Sequence, residues 1–195
     1  MVRTARASKT VYFTLVLMAI VTSQVAVSQV AVLSPSDQKL LADFGNKAKG
    51  YSNKEHALAA SKMKPTEDVG KLQQQRKQLR QAVQQARANA RQGDFFTSET
   101  AEVFRKLLSD LLNSPEGKKI KVSLNHAEPG ASGEFKVNGE FPNQNGQPIQ
   151  SVPPTVLKVL PALPKGMDYC IAGKTLALRD SVANLVIDYL PNALP

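Results

Sequence analysis

The fold is decided by the stretch TSETAEVFRKLLSDLL, residues 97–112, which predicts the strongest amphipathic helix in the chain. Thr97 or Ser98 supplies the N-cap hydroxyl, and the turn around Pro115 ends the helix. A helix with one broad apolar face needs a partner that covers this face. The residues that form the face recur at spacings of three and four: Val103, Phe104, Leu107, Leu108, Leu111 and Leu112.

The C-terminal residues predict an antiparallel sheet as that partner. Strands at 168–172 and 175–178 flank Gly173-Lys174, a two-residue turn with glycine first, and a third strand is expected at 184–190. Residues 93–195 are therefore predicted to be a small α+β domain, in which the antiparallel sheet packs on the amphipathic helix.

Three shorter elements are expected between the helix and the sheet. Alternating apolar residues favour a strand at 118–126, with a short helix as the alternative, and a second strand at 134–141. Pro153 and Pro154 introduce a short helix at 155–160.

Upstream of Gly93 the sequence predicts extensions to this domain. Residues 66–92 would form a long, polar, Gln- and Arg-rich helical arm with a narrow apolar seam, suited to packing or to a weak coiled coil. Gly93 is the expected C-cap of this helix. Residues 29–65 show poor apolar periodicity, so we expect a flexible or weakly helical linker there.

The charge distribution changes at the same place. Residues 29–92 carry 12 Lys and Arg against 5 Asp and Glu, whereas residues 93–195 carry 10 against 11. The basic arm has no interleaved aromatic residues on which bases could stack, so we expect no nucleic-acid ligand. We expect a protein partner or self-association through residues 66–91, and the basic charge also suits contact with a membrane surface.

Residues 1–28 have the three-part pattern of a secretory signal peptide. Three positive charges in residues 1–10 precede an apolar run at 11–21, and Ala26-Val27-Ser28 fits the small-residue cleavage motif. This pattern predicts export through the Sec pathway and a periplasmic or secreted protein. The alternative is an uncleaved single-pass anchor at residues 11–33, because about 20 apolar residues suffice to span a bilayer.

The sequence contains none of the familiar catalytic or metal-binding motifs. His56 and His126 lack the spacing of a zinc site. No Gly-x-Ser-x-Gly elbow occurs, so Ser132 is expected to be a turn serine. Gly173-Lys174-Thr175 lacks the upstream glycine of a phosphate loop. We therefore assign no catalytic, cofactor-binding or metal-binding residue, and we expect no cofactor and no small-molecule ligand.

The acidic residues and the single cysteine have structural interpretations. Glu134 and Glu140 would be solvated residues on one strand face. Asp180 and Asp188 flank the last strand, and Arg179-Asp180 is expected to fix a turn, either by a side-chain to backbone bond or by an ion pair. Cys170 lies in an apolar run and is expected to be a buried small hydrophobe.

Residues 92–195 contain a series of short motifs: Gln92-Gly93-Asp94-Phe95-Phe96-Thr97, Val152-Pro153-Pro154, Leu160-Pro161-Ala162-Leu163-Pro164, Leu178-Arg179-Asp180 and Ala183-Asn184-Leu185-Val186-Ile187-Asp188. In these motifs and their order, residues 92–195 resemble a family of uncharacterised exported bacterial proteins. The resemblance implies a bacterial envelope setting and a domain that starts near Gly93, and it carries no activity and no catalytic residue.

The leading hypothesis is a non-enzymatic, exported interaction or structural protein of the bacterial envelope. One alternative is a membrane-anchored envelope protein with a basic, membrane-proximal stalk. Another is a hydrolase whose carboxylate chemistry is not visible in the sequence. A smooth surface with a projecting helix would favour the first hypothesis, whereas an apolar pocket with converging acids would favour the hydrolase.

The signal peptide makes a direct prediction about the mass of the mature chain. Intact-mass measurement on fractionated cells should give a chain that begins near Gln29, in the soluble envelope fraction, because cleavage follows the small-residue motif. A full-length mass in the membrane fraction would instead establish the uncleaved anchor.

Overall fold

The computed structural model of the chain describes residues 33–126, 135–142 and 152–195. The anchor alternative and the signal peptide therefore fall almost entirely outside the described residues. In chain order the elements are α1 (Pro35–Lys62), α2 (Val69–Ala86), α3 (Ser98–Asn113), α4 (Gly117–His126), α5 (Pro154–Leu157), β1 (Met167–Ala172), β2 (Thr175–Asp180) and β3 (Leu185–Leu190).

The fold class is α+β, as predicted. The three strands form one antiparallel sheet in the order β1-β2-β3, and Gly173, with φ of +56°, opens the turn between β1 and β2. Helix α3 begins as expected, because the Thr97 hydroxyl accepts a hydrogen bond from the backbone N–H of Thr100. Phe104 and Leu108 of α3 share one buried cluster with residues of all three strands.

Residues 35–62 form a continuous helix where the sequence led us to expect a flexible or weakly helical linker. Ser34 caps α1 by accepting a hydrogen bond from the backbone N–H of Asp37 at 3.0 Å. The helix buries Phe44 and Ala48, and the ring centroids of Phe44 and of Phe104 in α3 are 4.9 Å apart. Tertiary packing of this one face therefore orders a segment whose own helical signal is weak.

The polar arm at residues 66–92 is packed into the fold. Helix α2 ends at Ala86, short of Gly93, and its apolar seam is covered: Leu79 and Val83 are buried in a cluster with Ala183 and Leu185. The described residues from Leu33 to the C-terminus belong to one compact unit. The structure therefore has no domain boundary at Gly93, because α1 and α2 supply core residues to the same body as the sheet.

Three short elements can be compared with their predictions. Residues 117–126 form α4, the short helix that was the alternative to the favoured strand. Ile120 is buried and Leu124 is partly buried, four residues apart on one helix face, whereas Val122 is 54% exposed. The strand expected at 134–141 is reduced, within residues 135–142, to a single bridge between Glu140 and Leu185. The short helix expected at 155–160 is α5, which ends at Leu157.

The carboxylate of Asp188 ties the loop before α3 to strand β3. Asp188 is fully buried, and it accepts hydrogen bonds from the backbone N–H groups of Gly93, Phe95 and Phe96 at 3.1, 2.8 and 2.9 Å. The N–H of Tyr189 donates to the same carboxylate at 2.8 Å. These charge-assisted bonds offset the free energy that burial of the carboxylate costs.

In the described part of the chain, no helix combines the length and the apolar character that a membrane crossing requires.

Replacing Asp188 by Asn should lower the free energy of unfolding by about 3 kcal/mol, because the amide turns one acceptor oxygen into a donor and leaves buried N–H groups unpaired. Urea denaturation measures the change. The control is Asp43→Asn on α1, which is 56% exposed and forms an i,i+4 ion pair with Lys39. Asp43→Asn should change stability by less than about 0.5 kcal/mol, and equal effects of the two variants would contradict the role of Asp188.

Candidate functional site

A groove of about 350 Å³ lies between α1 and α2. Helix α1 contributes one stripe at spacings of three and four, so these residues share one helix face. Helix α2 contributes Val83 and Ala86, and Arg87 follows as its C-cap residue. The loop before α3 contributes Phe95. The residues that α1 contributes are Lys47, Gly50, Tyr51, Lys54, Glu55 and Leu58.

Tyr51 anchors the groove to the sheet through Asp180. Its hydroxyl donates a hydrogen bond to Asp180 Oδ2 at 2.6 Å, while the backbone N–H groups of Val182 and Ala183 donate to Oδ1 at 2.8 Å each. The predicted turn-fixing role of Asp180 is therefore confirmed. Burial, followed by the Asp180 carboxylate, raises the pKa of Tyr51 well above its ordinary range, so the hydroxyl remains protonated as a donor.

Glu55 is a buried acid with one carboxylate oxygen that has no hydrogen-bond partner among the described residues. It is 4% exposed, and its Oε2 lies 3.8 Å from Nε2 of the half-exposed His56. Its other oxygen, Oε1, is buried and has no hydrogen-bond partner among the residues that the structure describes. Burial and the nearby Asp180 carboxylate raise the pKa of Glu55, and His56 opposes them.

Arg87, the C-cap residue of α2, lines the groove and also has an unsatisfied hydrogen-bonding position. Its Nη2 donates to the backbone carbonyl of Ile187 at 2.9 Å, and its Cζ lies 5.3 Å from the centre of the Tyr51 ring. Its Nη1 is buried without a partner in the described chain. Burial lowers the pKa of Arg87, but a guanidinium keeps its charge at neutral pH.

The groove thus contains two buried groups of opposite charge that do not satisfy each other. An unpaired buried polar atom costs about 1–3 kcal/mol, more when it is charged. Lys47 and Lys54 add two cations to the same groove, although the Lys47 ammonium already donates to the backbone carbonyl of Asp94. A hydrogen-bond donor next to Glu55 Oε1 and an acceptor next to Arg87 Nη1 would each satisfy one of these atoms.

Two larger surface cavities lack such open positions. In the first, of about 600 Å³, Arg80 pairs with Glu140 and donates to the carbonyl of Ala183. The second, of about 580 Å³, is mainly apolar, and its charged residues, Asp168 and Arg179, lie 3.7 Å apart. Among buried side-chain atoms of the described residues, those without a partner are Glu55 Oε1, Arg87 Nη1 and Asn138 Oδ1.

The residues considered as candidate sites in the sequence occupy structural positions. Gly173-Lys174 forms the hairpin turn, as predicted. His126 is the last residue of α4, and within the described ranges no three His, Cys, Asp or Glu side chains are grouped so as to hold a metal ion. Ser132 and Glu134 lie outside those ranges.

Cys170 is buried in strand β1, as predicted, and its sulfur is free. Its Sγ lies 3.6 Å from Asp168 Oδ1. Burial, with Asp168 as a further cause, raises the pKa of the Cys170 thiol to about 12.

Tyr51, Glu55 and Arg87 were not identified from the sequence. Tyr51 and Glu55 fall in the segment expected to be a linker, and Arg87 falls in the arm expected to project. One signal was available: residues 44, 48, 51 and 55 recur at helical spacing, which places Glu55 on the face that buries Phe44.

No family model matches the chain, and neither the curated proteins nor the solved structures contain a match. The resemblance of residues 92–195 to uncharacterised exported bacterial proteins therefore stays a prediction.

The raised pKa of Glu55 predicts a pH-dependent contribution to stability. The folded chain binds this proton more tightly than the unfolded chain does, so the contribution is complete below the ordinary pKa of 4.5 and is lost as the pH rises through the folded pKa. The free energy of unfolding of the wild type, minus that of Glu55→Gln, should therefore fall from about pH 4 to about pH 8.

Urea denaturation across this range measures the difference, and groups shared by both proteins cancel. The matched control is Glu102→Gln on α3, an exposed glutamate, for which the difference should stay flat. A flat difference for Glu55→Gln would contradict the raised pKa.

Proposed function

We propose that the protein is an exported, non-enzymatic binding protein of the bacterial envelope, and that the groove between α1 and α2 holds its ligand. The observation that carries the groove assignment is that two of its lining residues, Glu55 and Arg87, each contain a buried polar atom without a partner among the described residues, Oε1 and Nη1. Buried polar atoms in folded proteins nearly always have a partner. A bound ligand would supply both partners, and in this respect the proposal departs from the expectation from sequence of no small-molecule ligand. The export and the envelope location rest on the pattern of residues 1–28 and on the resemblance of residues 92–195.

The arrangement of the acids favours binding over hydrolysis. Two-carboxylate hydrolysis needs an acid and a base that both reach the substrate. Glu55 is near Asp180, but Asp180 is fully buried and holds Tyr51 and two backbone N–H groups. Asp180 could act on a substrate only by releasing these contacts. Among the described residues that line this groove, a hydrolase would therefore have one available carboxyl group, on Glu55, where two-carboxylate chemistry needs two.

Docking of a protein partner through residues 66–91 has less support than ligand binding in the groove. The apolar seam of α2 is already covered, because Leu79 and Val83 are buried inside the chain. The outward face of α2 is polar, so a partner there would have to recognise Gln, Lys and Arg side chains. The anchored alternative depends on residues 11–33, of which the structure describes only Leu33.

The groove assignment predicts that the protein retains a small molecule when it is purified from the envelope fraction. Its native mass should exceed its denatured mass by the mass of the ligand. Replacing Gly50 by Leu should abolish this excess, because Gly50 lines the groove and has open space around the added side chain. Native mass spectrometry of both proteins measures the difference.

The matched control is Gly45→Leu on the same helix. Gly45 has equally open surroundings and does not line the groove, and leucine favours a helix over glycine by roughly 1 kcal/mol at either position. This variant should keep the excess mass. A wild-type protein without excess mass, or equal retention by the two variants, would overturn the groove as the binding site.

A further inference from the structure

We propose that the ligand of the groove is a short zwitterionic peptide, close to a dipeptide in length, whose ammonium group binds Glu55 and whose carboxylate binds Arg87. This inference rests on the proposed function, because it identifies the class of ligand that the same groove would take.

The charges of the two open positions determine the ends of the ligand. Glu55 Oε1 is an oxygen without a donor, and Arg87 Nη1 is a donor without an acceptor. A simple organic acid would satisfy Arg87 and leave Glu55 unpaired, whereas a simple amine would do the reverse. A molecule with both an ammonium and a carboxylate group satisfies both positions at once.

The surroundings of Glu55 also favour an ammonium group as its partner. The charged and titratable groups that act on this carboxyl are Asp180, His56 and Tyr51. Burial and Asp180 oppose ionisation of Glu55, and His56 alone favours it. A ligand cation would add a second favourable charge next to Glu55, where Asp180 also attracts it.

The rest of the groove suits the apolar side chains of such a peptide. Leu58, Val83 and Phe95 line it together with the ring of Tyr51. Its volume of about 350 Å³ lies at the lower end of the range of about 300–1,000 Å³ that is usual for small-molecule pockets. This size favours a short peptide over a longer one.

The first test uses four compounds and no variant. Isothermal titration calorimetry of the full-length mature protein compares L-leucyl-L-phenylalanine, its N-acetyl derivative, its C-terminal amide and free L-phenylalanine. The dipeptide should bind at least tenfold more tightly than each of the other three, because each of those lacks one charge or the required length. Equal binding of the N-acetyl derivative or the amide would overturn the proposal.

The second test assigns the ammonium end to Glu55. Glu55→Gln should weaken binding of the dipeptide at least tenfold and leave binding of its N-acetyl derivative unchanged, because this derivative carries no cation. Glu102→Gln, the exposed control on α3, should bind both compounds as the wild type does. Equal weakening of both compounds by Glu55→Gln would show a structural effect and would overturn the assignment.

Failure of this inference can be told apart from failure of the proposed function. One outcome is that Gly50→Leu abolishes the retained mass while the wild type shows no preference for the dipeptide. That result would overturn the zwitterionic peptide as the ligand and would still support a binding protein with its site in the groove. Absence of a retained mass, combined with no binding of any of the four compounds, would overturn both.

Discussion

The hydrogen bonds that the Asp188 carboxylate accepts are the interaction on which the other contacts of the fold depend. They hold the loop of Gly93, Phe95 and Phe96 against strand β3. This loop determines where α3 begins. It also places the ring centroids of Phe95 and Phe96 at 6.2 and 5.6 Å from that of Phe44. The Asp188 carboxylate thus contributes to the position of α1 on the core, because it holds the loop whose phenylalanine rings pack against Phe44 of α1.

Asp180 has a related role on strand β2, where it holds both the following turn and the Tyr51 hydroxyl of α1. The carboxylates of the two buried acids of the sheet thus accept hydrogen bonds that position helices and loops. Glu55 and Arg87, which lie in the groove that these contacts shape, each keep one buried polar atom without a hydrogen-bond partner among the described residues. A preorganised binding site requires unsatisfied polar groups on elements that other contacts hold in place.

The elements with strong local signals were predictable from the sequence. The broad apolar face of α3, the glycine turn between β1 and β2, and the structural role of Asp180 all follow from short-range patterns. The order and packing of α1 do not, because its buried stripe continues from Phe44 and Ala48 into Ser52 and Glu55, which read as solvent-facing residues. Glu55 and Arg87 were missed for the same reason, since long-range packing alone turns these polar residues inward.

Burial of Cys170 has a consequence for how the protein can be made. The thiolate is the form that reacts with oxidants and disulfides, and a thiol with a pKa of about 12 is almost entirely protonated near neutral pH. The sulfur is also enclosed by the sheet, and the chain has no second cysteine to pair with it. Cys170 is therefore expected to remain a thiol whether the chain folds in a reducing or in an oxidising compartment.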